Sequence, residues 1–123
     1  MIRRDRILRF FASELAWRMW RAQRAGTLKK EQPFVFGISA DRLTAQAPDE
    51  TVLIQGIIDA YFEEDGKIVL LDYKTDHIAS PADLWDQYRV QMDYYRQALE
   101  KLTGLPVSQR FLYSFHLGEA AAD

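Results

Sequence analysis

The segment from Thr51 to Lys74 constrains this chain more than any other, because two long apolar runs, TVLIQGIIDAYFEE and KIVLLDYK, flank the dipeptide Asp65-Gly66. An Asp-Gly pair so placed favours a two-residue type I′ hairpin, since both central residues of that turn need positive φ. Apolar residues occupy both parities of the runs, so both faces of the hairpin are expected to be buried, as in the middle of a sheet covered by helices. Setting Glu64 against Lys67 across the turn puts Phe62 against Val69 and Asp59 against Asp72. Facing Cβ atoms on an antiparallel ladder lie about 4.5–5.5 Å apart, where like charges destabilise unless something compensates them. Lys74 stands two residues beyond Asp72 and therefore projects from the same face.

The flanking sequence supplies helices for such a sheet. Residues 5–25 read as one amphipathic helix, with Ile7, Phe11, Leu15, Ala16, Met19 and Ala22 or Gln23 near helical spacing, the arginines opposite, and Gly26 closing it. Residues 31–39 read as a strand, followed by a polar loop through Pro48. Ser80-Pro81-Ala82-Asp83 combines a capping serine, a proline at the first helical position and an acid three residues after the cap. The helix it opens is expected to run to about Leu102, with Leu84, Tyr88, Gln91, Tyr95, Ala98 or Leu99, and Leu102 inward, and to stop at Gly104 and Pro106. VSQRFLYSFHL reads as a last strand and GEAAAD as a frayed tail. The order α-β-β-β-α-β predicts an α/β (α+β) fold, a mixed central sheet flanked by helices, in a single domain over residues 1–123.

Composition narrows the chemistry. With 123 residues and 48% hydrophobic content, one domain can bury about two-thirds of its unfolded surface. The chain has no cysteine, which excludes disulfides, thiolate zinc sites, iron–sulfur clusters and a cysteine nucleophile, and makes a reducing cytoplasm the default expectation. Any metal must sit on oxygen or histidine. No apolar stretch reaches the ~20 residues of a membrane span, and none follows the basic N-terminus as in a secretory signal. The net charge of −2 hides an asymmetry: residues 1–24 hold seven arginines against Asp5 and Glu14, while the remainder holds nine basic and sixteen acidic residues. A chain this acidic over most of its length is a poor stand-alone binder of DNA phosphates, so another protein is expected to help hold the strand.

Two facing aspartates and a same-face lysine match what phosphodiester hydrolysis requires. Mg²⁺ takes hard oxygen ligands through one or two carboxylates plus water and phosphate, and the carbonyl of Tyr73 could add another. The lysine could orient or deprotonate water, or stabilise developing charge. The alternative, solvated aspartates with an ordinary salt bridge, is disfavoured because opposed carboxylates inside apolar strands are destabilising without a use. Gln91 and Tyr95 lie one helical turn apart; the glutamine either bonds structurally or faces a DNA backbone next to the metal. Glu31 could add a carboxylate or simply be a solvated strand-end residue. His77 and His116 lack metal-ligand spacing, Asp76 reads as a loop or cap residue, and Trp17, Trp20 and Trp85 as packing for the core or a partner surface.

These residues resemble the RecB-family nucleases of the PD-(D/E)xK superfamily, and among them the nuclease domains of bacterial AddAB-type helicase–nucleases. Glu31-Gln32-Pro33-Phe34 is similar to the family's E-x-P-F strand, QGIIDAYFEEDGKIVLLDYKTD to its G-x-x-D hairpin and D-Y-K-T-D strand, and Gln91-Met92-Asp93-Tyr94-Tyr95 to its Q-x-x-x-Y helix. The match runs over nearly the whole chain. The resemblance implies a restriction-endonuclease-like core and Mg²⁺, with Mn²⁺ as a substitute, held by Asp59, Asp72 and the Tyr73 carbonyl. It implies Lys74 as the catalytic lysine and Gln91 and Tyr95 near DNA. It further implies an exonuclease that trims single-stranded ends delivered by an ATP-driven helicase in double-strand-break repair, working with an AddB-like subunit in the bacterial cytoplasm. The family also carries a histidine metal ligand on an upstream helix, and no histidine precedes Asp59 here. The expectation is a C-terminal piece of a larger helicase–nuclease that cuts poorly alone. With no Gly-rich phosphate loop, the chain is not expected to bind ATP through such a motif. Two alternatives stand beside this reading: a catalytically silent DNA-binding or subunit-docking module, and a small free-standing phage or CRISPR-associated nuclease.

Overall fold

The computed structural model describes residues 4–39 and 51–122, so the expected polar loop, through Pro48, lies outside the described residues. Helices α1 (Arg4–Phe11) and α2 (Glu14–Ala25) precede strands β1 (Lys29–Ser39), β2 (Thr51–Glu64) and β3 (Lys67–Lys74). Helix α3 (Pro81–Thr103) then leads to β4 (Val107–Ser114) and β5 (Glu119–Ala122). The strands form one sheet in the order β1-β2-β3-β4-β5, parallel between β3 and β4 and antiparallel elsewhere. A parallel pair needs a crossover, and α3 is that crossover. This is the expected α+β arrangement with a mixed sheet between helices.

The hairpin forms in the expected register from Glu64↔Lys67 to Ala60↔Leu71, and its ladder ends there, one pair short of the expected Asp59↔Asp72. Asp65 and Gly66 take φ of 53° and 75°, and Glu64 pairs with Lys67 and Phe62 with Val69. Because a side chain in the left-handed region meets the backbone, Gly66→Ala is expected to cost about 1 kcal/mol, read as a lower urea midpoint.

Alternation along the strands sends side chains to two cores. On one face Tyr61, Ile68, Leu70 and Leu112 pack with Leu84, Trp85, Met92, Tyr95 and Leu99 of α3. On the other Phe62, Val69, Leu71 and Tyr113 pack with Phe10, Leu15, Met19 and Ala22 of α1 and α2. Burial on both faces holds only for this central part. Val35, Leu53 and Ile57 stay exposed where β1 and β2 extend past α1 and α2, while α3 still covers their other face through Phe34 and Phe36.

Three expectations are corrected. The single helix over residues 5–25 is two helices broken at Ser13, whose extended backbone places its hydroxyl to accept from the Ala16 N–H at 3.2 Å and donate to the Phe10 carbonyl at 2.6 Å. A serine that offers the backbone these bonds competes with helix continuation. The break turns Phe10 inward and leaves Ile7 and Phe11 exposed. In α3 the caps Ser80 and Gly104 stand as expected, but Trp85 and Met92 join the buried stripe and Leu102 stays exposed. The tail is not frayed: β5 pairs with β4, and the buried Trp85 indole N–H donates to the Ala121 carbonyl at 2.8 Å. A buried indole needs an acceptor, and this strand supplies it.

Candidate active site at the hairpin end

The ladder between β2 and β3 ends at the pair Ala60↔Leu71, and the next residue, Asp59, replaces it with a side-chain contact. Its Oδ2 accepts the Tyr73 backbone N–H at 2.8 Å. Across β1, Glu31 stands opposite Asp59, between the pairs Lys30↔Ala60 and Gln32↔Ile58, with a left-handed φ of 52°. Ile58 and Tyr61 both pack on the α3 side, although three residues of unbroken strand would send them to opposite faces. The alternation therefore slips by one at Asp59, whose carboxyl lies near enough to Asp72 to raise that group's affinity for a proton.

Asp72 is only 3% exposed, and Lys74 Nζ lies 2.8 Å from its Oδ2. Burial first, then the bond and charge of Asp59, push the Asp72 carboxyl up to about 7 against the opposing pull of Lys74. A carboxylate beside another is harder to ionise, so Asp72 holds its proton more tightly than a free aspartate does. The ammonium of Lys74 also donates to Gln91 Oε1 at 2.9 Å and sits 3.8 Å from the centre of the Tyr88 ring. Of the two readings of Gln91, the structural bond is present: its side-chain oxygen accepts from the lysine.

Tyr88 donates its hydroxyl to Asp76 at 2.7 Å; that bond first, and burial second, push its phenol up to about 12, while the same bond holds Asp76 low. Tyr95 is buried, and burial with the charges of Asp72 and Asp59 pushes its phenol up to about 12. Phe34 meets Tyr95 edge-on with centroids 5.4 Å apart. A Cβ on Gly56 would lie 3.1 Å from the Phe34 ring, so this ring lies over a position that only glycine fills without displacement. The E-x-P-F, G-x-x-D and Q-x-x-x-Y motifs meet here, in the contact of Phe34, Gly56 and Tyr95.

The structure thus gathers Asp59, Asp72, Lys74 and Gln91, with Tyr95 in range of both carboxylates. Glu31 is exposed, and its visible part is the backbone break opposite Asp59. Tyr73 splits its roles: the N–H holds Asp59, and the ring packs on the other face of the sheet against Phe10, with its hydroxyl 3.7 Å from Met19 Sδ. His77 and His116 lie ring to ring at 4.5 Å, and no cluster of three or more His, Cys, Asp and Glu side chains forms among the described residues. Sequence reasoning placed Tyr88 in the core and missed it beneath the ammonium; its place one helical turn before Gln91 was the available signal.

A profile of the PD-(D/E)XK nuclease superfamily matches residues 3–121. The chain belongs to this superfamily. Its sheet and flanking helices are accordingly a restriction-endonuclease-like core, as the motif resemblance implied. Among curated proteins, it is similar to an ATP-dependent helicase/nuclease subunit of Clostridium kluyveri, 44% identical over 115 residues that cover 89% of this chain and 9% of that protein. The corresponding protein of Clostridium novyi is 38% identical over 91% of this chain and 9% of its own length. That of Lachnoclostridium phytofermentans is 36% identical over 94% of this chain and 11% of its own. The chain therefore spans about a tenth of the length of the relatives it matches. These are the helicase–nuclease relatives to which the motifs pointed.

Proposed function

We propose that this chain is the catalytic core of a divalent-metal-dependent DNA nuclease that acts in double-strand-break repair and recombination. The observation that carries the reading is the buried Asp72 carboxyl beside Asp59, with the Lys74 ammonium 2.8 Å from its Oδ2. Two neighbouring carboxylates, one of them with a raised affinity for a proton, are a hard-oxygen donor set that fits a divalent cation. Asp59, Asp72 and the Tyr73 carbonyl are assigned to Mg²⁺, with Mn²⁺ as a substitute. The chemistry such a cation supplies when bound is charge for the scissile phosphate and acidification of water.

The chain's own residues do the rest. The Tyr73 N–H and Lys74 hold the two carboxylates in place, and Gln91 keeps the ammonium at the site when the Asp72 carboxylate is otherwise engaged. Lys74 then offers positive charge to the attacked phosphate or orients the attacking water. Tyr95 presents a phenol that stays protonated and can donate to a phosphate oxygen. Exonuclease action on single strands is the finer reading, supported by relatives named helicase/nuclease subunits. In that setting, in the bacterial cytoplasm, ATP serves the helicase portion and an AddB-like subunit completes the assembly. End-labelled single-stranded DNA incubated with Mg²⁺, Mn²⁺ or chelator tests the core claim. Cleavage that persists undiminished in chelator would sink it.

Metal binding should also be linked to pH. A cation must displace the proton on Asp72, so its apparent affinity is expected to rise by up to about tenfold per pH unit below neutrality and to level off above about 7. Calorimetric titration with Mn²⁺ in buffers of different ionisation enthalpy should register the released proton. Without the cation the sign for stability is opposite. The folded value lies above the ordinary 3.8, so this group's contribution is full below pH 3.8 and is lost as pH rises through about 7.

A further inference from the structure

Helix α2 turns an unusual face outward. Trp17 and Trp20 remain 55% and 48% exposed and stack on each other, with centroids 4.9 Å apart and planes 23° from parallel. Arg21 and Arg24 continue the same stripe at helical spacing, both exposed, and the Arg24 guanidinium lies 5.1 Å from the Trp20 ring centre. The adjoining carboxylates are Glu14, in the first turn of the helix, and Glu64. Glu64 is already held by Arg18, at 2.7 and 3.0 Å. Beside the stripe runs an open groove of about 380 Å³ lined by Phe11, Trp20, Gln23, Lys30 and Tyr73, among others. Tyr73 spans the sheet at this point: its ring lines the groove on the α2 face, while its N–H holds Asp59.

We infer that this face of α2 and its groove are a binding surface for single-stranded DNA, on which bases stack against Trp17 and Trp20 while Arg21, Arg24 and Lys30 meet the phosphates. Exposed aromatic faces interleaved with cations are what sequence-tolerant binding of single strands needs, since every base has a π-face and every nucleotide a negative charge. The charge of the chain selects the same place: its first 24 residues carry the excess of arginine, and the remainder is acidic. A duplex, whose bases are already stacked, cannot use the indoles. The choice of DNA as the ligand rests on the function proposed above, but the surface acts through binding alone and needs no metal.

The experiment titrates the chain with a single-stranded oligothymidylate in chelator, reading tryptophan emission and affinity. Trp85 is buried at 5% exposure, so quenching reports on Trp17 and Trp20. Quenching is expected, with affinity lowered about tenfold or more by Trp17→Ala/Trp20→Ala and largely restored by Trp17→Phe/Trp20→Phe. Arg21→Ala/Arg24→Ala should reduce the slope of log affinity against log salt by about 1.4, from about 0.7 per phosphate contact. Emission that does not move, affinity that ignores the indoles, or a duplex bound as tightly as the single strand would overturn the inference. So would a mass that falls from dimer to monomer in the Trp17→Ala/Trp20→Ala variant, which would assign the face to a second copy of the chain. Failure of the nuclease reading looks different: oligonucleotide bound and tryptophan quenched, with no cleavage when Mg²⁺ or Mn²⁺ is added.

Discussion

Lys74→Ala is expected to lower metal-dependent DNA cleavage by about 10²–10³-fold, the usual loss when one preorganised charge is removed from a reacting centre. Asp72→Ala should lose more, because it removes a proposed metal ligand as well as the partner of the lysine. Lys74→Ala and Asp72→Asn should also separate in stability. Asp72 is buried against Asp59, and near neutral pH its replacement by asparagine removes a carboxyl that resists ionisation there. Asp72→Asn is therefore expected to leave the metal-free chain at least as stable as before, while cleavage is lost. Lys74→Ala leaves the paired carboxyls without their ammonium and should destabilise the chain increasingly as pH rises above 7. Single-turnover degradation of end-labelled single strands, alongside urea titrations at two pH values, measures both. Variants that cut as fast as the original chain would remove Asp72 and Lys74 from the reaction.

The second large effect is structural and leaves the carboxylates alone. Phe62 is 0% exposed, pairs with Val69 across the hairpin, and fills the core beneath α1 and α2. Phe62→Ala removes a ring that tightly packed neighbours cannot replace, which costs about 3–5 kcal/mol. That is a large fraction of the ~5–15 kcal/mol that holds a domain together, so the urea midpoint should fall steeply, and part of the population should be unfolded at 37 °C. The site should keep its metal affinity in the fraction that remains folded. A midpoint shift under about 1 kcal/mol would mean that the core on this face is far looser than its burial indicates.

The sequence made the hairpin and its chemistry legible because turn chemistry and strand alternation act locally. Asp65-Gly66 dictates the two positive φ values, and the two-residue loop sets the register up to Ala60↔Leu71, at whose end Asp59 comes beside Asp72, with Lys74 next to the latter. The capping of α3 was legible for the same reason, since Ser80, Pro81 and Gly104 act on backbone groups within a turn of themselves. Features that depend on contact across the fold were not. No local pattern marks Ser13 as the break between two helices, because whether its hydroxyl competes with the helix depends on how Phe10 and Leu15 seat on the sheet. The alanine-rich tail has little strand preference of its own, and becomes β5 beside β4, where a buried indole finds the Ala121 carbonyl.

What the sequence determined by itself is that a hairpin presents Asp59, Asp72 and Lys74 together, the residues proposed for the chemistry, since that information lies in spacing and turn type. Tertiary structure alone decided how they are tuned. The slip of alternation opposite Glu31, the Gln91 and Tyr88 contacts that hold Lys74, and the Phe34 ring over Gly56 join residues from three or more elements. Burial and charge at such a junction are sums over everything packed around it. The proton on Asp72 is therefore a property of the assembled fold, which spacing along the chain does not encode.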